Sequence, residues 1–152
     1  MANTYSKIYL QFVFSVKNRQ SLLNTKDEQL AKYLGGIINN LKCTPLSINN
    51  MKDHIHIFLI KHPTVSESEL AQKLKNNSSR WLKTHLKNNN FGWQNGYGVF
   101  SYGHSQINRV NEYIKNQQIH HKKHSFKEEY TKLLKLFDIE FDNQYLFEFF
   151  KQ

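Results

Sequence analysis

Residues 52–60 read KDHIHIFLI: two histidines around one isoleucine, then an unbroken apolar run. β-Branched and aromatic residues dominate the stretch, which suits a strand. Successive strand side chains point to opposite faces. His54, His56, Phe58 and Ile60 therefore share one face, and Ile55, Ile57 and Leu59 share the other. The aliphatic face is the natural one to lie under helices. The other face carries two imidazoles whose Cα atoms are about 7 Å apart, close enough to converge on one divalent ion. With eight histidines in the chain, one His-x-His pair can also arise without a role. Phe58 stands where a three-histidine nucleotidyl hydrolase would place its third ring, and no second His-x-Thr/Ser copy supports a two-histidine phosphoesterase.

The neighbouring segments fit around this strand. TPLSIN at 44–49 and the histidine strand at 53–61 form a hairpin across the turn NNMKD. Upstream, YSKIYLQFVFSV at 5–16 alternates, with Ile8, Leu10, Phe12, Phe14 and Val16 on one face and Tyr9, Gln11, Val13 and Ser15 on the other. Between them, residues 26–41 space Leu30, Leu34, Ile37, Ile38 and Leu41 as a helix. Gly35 and Gly36 weaken that helix or admit a close neighbour. Downstream, Ser66 and Glu69 form a capping-box pattern opening a helix to about Leu86, with Leu70, Leu74, Trp81 and Leu82 inward. GVFSY at 98–102 is a fourth strand, Ser105 caps a helix over 106–122, and a last helix fits 126–137 before the aromatic tail DIEFDNQYLFEFF. No repeat or linker splits the chain, so 1–152 reads as one domain.

The order β-α-β-β-α-β is the ferredoxin-like, RRM-like split βαβ of the α+β class. It predicts an antiparallel four-stranded sheet with helices on one face and the opposite face free for a site. The chain carries 21 Lys and Arg against 12 Asp and Glu, a net charge of +9, which points to a polyanion, nucleic acid before acidic membrane. No apolar run approaches a membrane span, and the first residues lack the features of a signal peptide. Cys43 alone forms no intrachain disulfide and fits a reducing cytoplasm. No GxxxxGK[ST] motif is present, so a P-loop ATPase is excluded.

In the helix at 106–122, Ile107, Val110 and Ile114 form the apolar stripe, Tyr113 and Gln117 are i and i+4 beside it, and His121 continues the edge. A phenol one turn from an amide oxygen suits a nucleophile beside a metal ligand, although Tyr113 also fits an ordinary core boundary. Arg19, Lys73, Lys75, Arg80, Lys83, Lys115 and Lys122 are candidate phosphate contacts, and Phe91, Trp93 and Tyr97 candidate stacking platforms for unpaired bases. Surface lysines serve solubility as readily, and Trp93 suits a core equally well.

DHIHIFL followed by YIKNQ, with IYLQFVFSVKNRQ, NSSRWL and GYGVFSYGHS in order, resembles the HUH-type single-tyrosine transposases of small bacterial insertion sequences. That family includes transposases associated with repeated extragenic palindromes. The resemblance covers about residues 5–122 and leaves the extension at about 125–152 unassigned. It implies that His54, His56 and Gln117 hold Mg²⁺ or Mn²⁺, and that Tyr113 attacks single-stranded DNA to form a 5′-phosphotyrosine. It also implies a homodimer acting on strands with hairpin ends. Gly96, Gly98 and Gly103 before the tyrosine helix would let it serve its own histidines or a partner's. Two rival readings are a domesticated hairpin-binding protein that does not cut, and a metal phosphohydrolase that uses water.

Overall fold

Strand β1 (Ile8–Ser15) is the centre of the sheet, paired antiparallel to β3 (His54–Lys61) on one side and to β4 (Gly98–Tyr102) on the other. β2 (Thr44–Asn50) completes the order β2-β3-β1-β4 by pairing antiparallel with β3. The computed structural model describes residues 3–122 and 124–141, so most of the aromatic tail expected at the C-terminus lies outside the described residues. The fold is the expected α+β split βαβ.

Helices α1 (Gln29–Asn40) and α2 (Glu67–His85) cover the aliphatic face, where Leu30, Leu34, Ile38, Leu70, Leu74 and Leu82 pack on Phe12, Phe14, Ile55, Ile57 and Leu59. The Ser66 hydroxyl accepts from the Glu69 amide at 3.1 Å, as the capping pattern requires. Nothing lies within 4 Å of where a Cβ would stand on Gly35 or Gly36, so no element uses them for close approach.

The face expected to be free is covered. Val110 and Ile114 of α3 (Ile107–Lys115) pack on Tyr9 and Phe58. Phe126, Tyr130, Leu133 and Leu134 of α5 (Phe126–Leu136) pack on Val13 and Phe100. The expected helix at 106–122 is broken. It opens with a 3₁₀ turn at His104–Gln106, in which Ser105 makes no cap, and Asn116 at φ −96° and ψ 21° separates α3 from the single turn α4 (Gln117–His120). The break has a side-chain cause. Asn49 of β2 donates to the Ile114 carbonyl at 2.9 Å and to the Lys115 carbonyl at 3.4 Å, capturing the end of α3. Ser47 of β2 also bonds Asn111, so the tyrosine helix is tied to its own sheet.

Gly98 is no hinge. A Cβ there would stand 2.7 Å from the Tyr130 hydroxyl and 2.9 Å from its ring, so the glycine admits α5 against β4. Gly98→Ala should therefore lower stability by about 1–3 kcal/mol, whereas Gly36→Ala, exposed in mid-helix, should raise it by about 0.5–1 kcal/mol. Urea unfolding of both variants checks this; a neutral Gly98→Ala would show that α5 does not depend on this approach.

Candidate active site

His54 opens β3, directly after Asp53. The Asp53 Oδ1 lies 2.7 Å from His54 Nδ1, and Arg19 Nη2 donates to Asp53 Oδ2 at 2.5 Å. Burial would raise the Asp53 pKa, but His54 and Arg19 outweigh it and hold the carboxyl down at about 2. An ionised carboxylate only accepts, so His54 Nδ1 carries a proton. The ring is 1% exposed, with Phe126 stacked on it at a centroid distance of 3.8 Å. Its Nε2 is buried without a hydrogen-bond partner among the described residues, 3.4 Å from Glu129 Oε1.

His56, 0% exposed, is held from the other side. The Tyr102 hydroxyl donates to Gln11 Oε1 at 2.6 Å, which turns the Gln11 amide nitrogen toward His56 Nδ1 at 2.8 Å. Nδ1 accepts, so Nε2 carries the proton and donates to Glu129 Oε1 at 3.0 Å. His121 Nε2 lies 3.2 Å from that same Oε1 and 3.1 Å from Gln117 Oε1. The second carboxylate oxygen, Glu129 Oε2, accepts from the Tyr113 hydroxyl. Tyr113 stands edge-on to His56, ring centroids 5.8 Å apart.

One carboxylate, itself 3% exposed, thus joins three imidazoles and a phenol. Its position has electrostatic consequences. Burial opposes charge on Glu129, but the imidazoles hold its carboxyl far below the usual range. Burial and then the Glu129 charge push the Tyr113 phenol far up, with Gln117 acting weakly the other way. Burial lowers His56, whereas for His54 the Asp53 and Glu129 carboxylates outweigh burial and raise it.

Donor atoms of His54, His121 and Glu129 all lie within 4.8 Å of one another, a spacing that could hold a metal ion. The expected ligands His54, His56 and Gln117 all line this cluster, with Gln117 fully buried and its amide nitrogen 3.3 Å from the Tyr113 carbonyl. His121, the alternative to Gln117 as third ligand one turn further along the helix, is at the cluster too. Glu129 was missed. Its signal was an acid on the apolar stripe Phe126, Tyr130, Leu133, Leu134.

The expected DNA contacts divide. Arg19 is engaged with Asp53 and sits over the Phe126 ring at 5.4 Å. Lys75 donates to the Gln94 and Gly96 carbonyls at 2.7 and 2.9 Å, half-buried. Trp93 is 8% exposed, donates to Ser78 at 3.0 Å and packs on Phe14 and Phe91. These three serve the fold, and Phe91 and Tyr97 join Trp93 in the core cluster. Lys73, Arg80, Lys115 and Lys122 are exposed and Lys83 half-buried. A cavity of about 330 Å³ opens between α3 and α5, lined by Tyr102, Arg109, Tyr113, Glu129 and Lys132 among others. A larger hollow, about 750 Å³, lies between α1 and β2 and takes in neither the tyrosine nor the histidines.

The fold is similar to that of a Deinococcus radiodurans R1 protein assigned provisionally as a transposase: TM-score 0.59, 21% identity, covering 77% of this chain and 95% of that one. It is also similar to a REP-associated tyrosine transposase bound to a REP hairpin, with TM-score 0.58 and 15% identity, over 80% of this chain and 73% of that one. No curated protein matches the sequence at a significant level. Residues 4–117 match the family described as Transposase IS200 like, a span that includes His54, His56, Tyr113 and Gln117 and stops short of His121 and Glu129. The chain belongs to the IS200-like transposase family.

Proposed function

We propose that this chain cuts and rejoins single-stranded DNA as a transposase, with Tyr113 as nucleophile and a divalent ion at the histidine face. The observation that carries the reading is the junction of the Tyr113 hydroxyl with His54 and His56 through one carboxylate. With Nδ1 turned to Asp53, His54 Nε2 is the ring atom left facing the cluster, and an ion there would displace any proton it carries. The residues present therefore fit a metal.

Tyr113 Oη attacks the phosphorus of a phosphodiester. The phenolic proton is released as the new O–P bond forms, the bond to the 3′-oxygen breaks and that oxygen takes up a proton, leaving a 5′-phosphotyrosine and a free 3′-hydroxyl, and the reverse step rejoins the strand without ATP. Mg²⁺ or Mn²⁺ at the site would neutralise the non-bridging oxygens. His54 and His56 would be its imidazole ligands, His56 by moving its proton from Nε2 to Nδ1 as the Gln11 amide turns to accept it, and Gln117, a hard amide oxygen, would be the third. The strand approaches along the cavity beside Tyr113, where Arg109 and Lys132 stand at the rim. Lys73, Arg80, Lys83, Lys115 and Lys122 add sequence-independent phosphate contacts.

The substrate is a strand with a hairpin end, as the REP-hairpin complex of the similar transposase supports. Residues 1–152 act as one domain, with α5 part of the site. The histidines and Tyr113 meet within one subunit, so a homodimer would pair two complete sites. No described helix is long and apolar enough to cross a membrane, and a DNA substrate suits action in the cytoplasm.

Tyr113→Phe should abolish the covalent protein–DNA adduct on a denaturing gel while keeping DNA affinity. An adduct at wild-type rate would move the role to Tyr102, the other tyrosine on the histidine face. Affinity for single strands should fall with salt at a log–log slope of about −0.7 per phosphate neutralised; a flat dependence would contradict the phosphate contacts. In Mg²⁺, Gln117→Ala should lose far more cleavage than His121→Ala. The reverse order would assign the third ligand to His121.

A further inference from the structure

This inference rests on the metal-assisted reading above and adds a residue to it. Helix α5 lies beyond the family-matched residues 4–117, yet it carries the carboxylate at the centre of the site. We propose that Glu129 is a resident member of the metal centre, with Oε1 as a carboxylate ligand and Oε2 holding the Tyr113 hydroxyl.

Convergence comes first. Three imidazole Nε2 atoms, of His56, His121 and His54, lie 3.0, 3.2 and 3.4 Å from the one oxygen Oε1. The His54 nitrogen faces the carboxylate at 3.4 Å without a hydrogen bond, so an ion set between them would take both atoms as ligands. Imidazole, amide and carboxylate donors together suit Mn²⁺ and, with fewer imidazoles, Mg²⁺.

The anchoring of the helix decides between a ligand and a removable plug. Phe126, Tyr130, Leu133 and Leu134 are all buried. Such side chains contribute roughly 1.5–3 kcal/mol each on burial. Phe126 stacks on His54, Gly98 makes room for Tyr130, and the Ser125 hydroxyl caps the helix by accepting from the Glu128 amide at 3.2 Å. Withdrawing Glu129 with its helix would expose this whole layer, so the carboxylate stays while the site works. Its two oxygens then set the distance from ion to nucleophile: one faces the imidazoles, the other the phenol.

The test uses the full-length chain and Mn²⁺ alone, followed by electron paramagnetic resonance of free Mn²⁺. Glu129→Gln, nearly isosteric, should weaken Mn²⁺ binding roughly tenfold or more, and Glu129→Asp should recover part of it. Adduct formation on Tyr113 should fall in parallel. Should Glu129→Gln prove unfolded, Mn²⁺ added to wild-type protein should both broaden the Glu129 carboxylate carbon resonance and change the splitting of the Glu129 carboxylate infrared stretches; broadening with unchanged stretches would overturn the proposal. Unchanged or tighter Mn²⁺ binding by Glu129→Gln, with faster adduct formation, would overturn the proposal and make Glu129 a plug. So would a Glu129 resonance that Mn²⁺ leaves sharp while binding elsewhere on the protein. Wild-type protein that neither binds Mn²⁺ nor forms an adduct would instead sink the underlying reading, and this proposal with it.

Discussion

Strand β3 is buried on both faces, and one of those faces carries two imidazoles. Buried polar groups must be hydrogen-bonded or they cost stability, and much of the second layer answers that constraint. Asp53, fixed by Arg19, takes His54 Nδ1. Gln11, turned by Tyr102, takes His56 Nδ1. Glu129 takes His56 Nε2. Of the four ring nitrogens only His54 Nε2 is left without a hydrogen bond. That nitrogen instead faces the Glu129 carboxylate at 3.4 Å, where His56 and His121 also converge.

The same burial shapes the electrostatics. A carboxylate beside a phenol in an apolar layer holds the phenolic proton in place, which is the direction found for Tyr113. That is a poor state for a nucleophile. A cation beside Oε1 would offset the carboxylate charge, weaken its hold on the phenol and compete with the protons that the imidazoles carry. In the proposed reaction a divalent ion would thus act on the phenol through the shared carboxylate.

Much of the fold was legible because it depends on local periodicity. The two-residue repeat of β3 separated imidazoles from aliphatics, and β1 lines up accordingly, Val13 opposite His56 and Ser15 opposite His54. Ser66 caps α2 as its spacing to Glu69 indicates, whereas Ser105 makes no cap. What was not legible depends on tertiary partners. Arg19 looks like a phosphate contact until Asp53 is placed beside it. Trp93 and Lys75 lie in or beside a polar loop, but Phe14 lies under both. Glu129 was readable in principle: Phe126, Glu129, Tyr130 and Leu133 follow the i, i+3, i+4, i+7 pattern of a buried stripe. A charge at such a position requires a partner. Only the sheet reveals that its partners are the histidines.

The break between α3 and α4 joins fold to chemistry. In an unbroken helix Tyr113 and Gln117 would stack along one edge. Here Asn49 draws off the carbonyls that end α3, and the chain re-enters a helical turn at Gln117 after Asn116. The amide and His121 can then turn in toward the β3 imidazoles while Tyr113 stays against His56. Asn49 is the β2 residue paired with His56 across the hairpin. The pairing that buries the second histidine therefore also positions the side chain that bends the tyrosine helix. For the helix to leave its own sheet, the Asn49 and Ser47 contacts would have to break along with the packing of Val110 and Ile114. The cost falls on several contacts at once, and these contacts hold Tyr113 beside the histidines of its own chain.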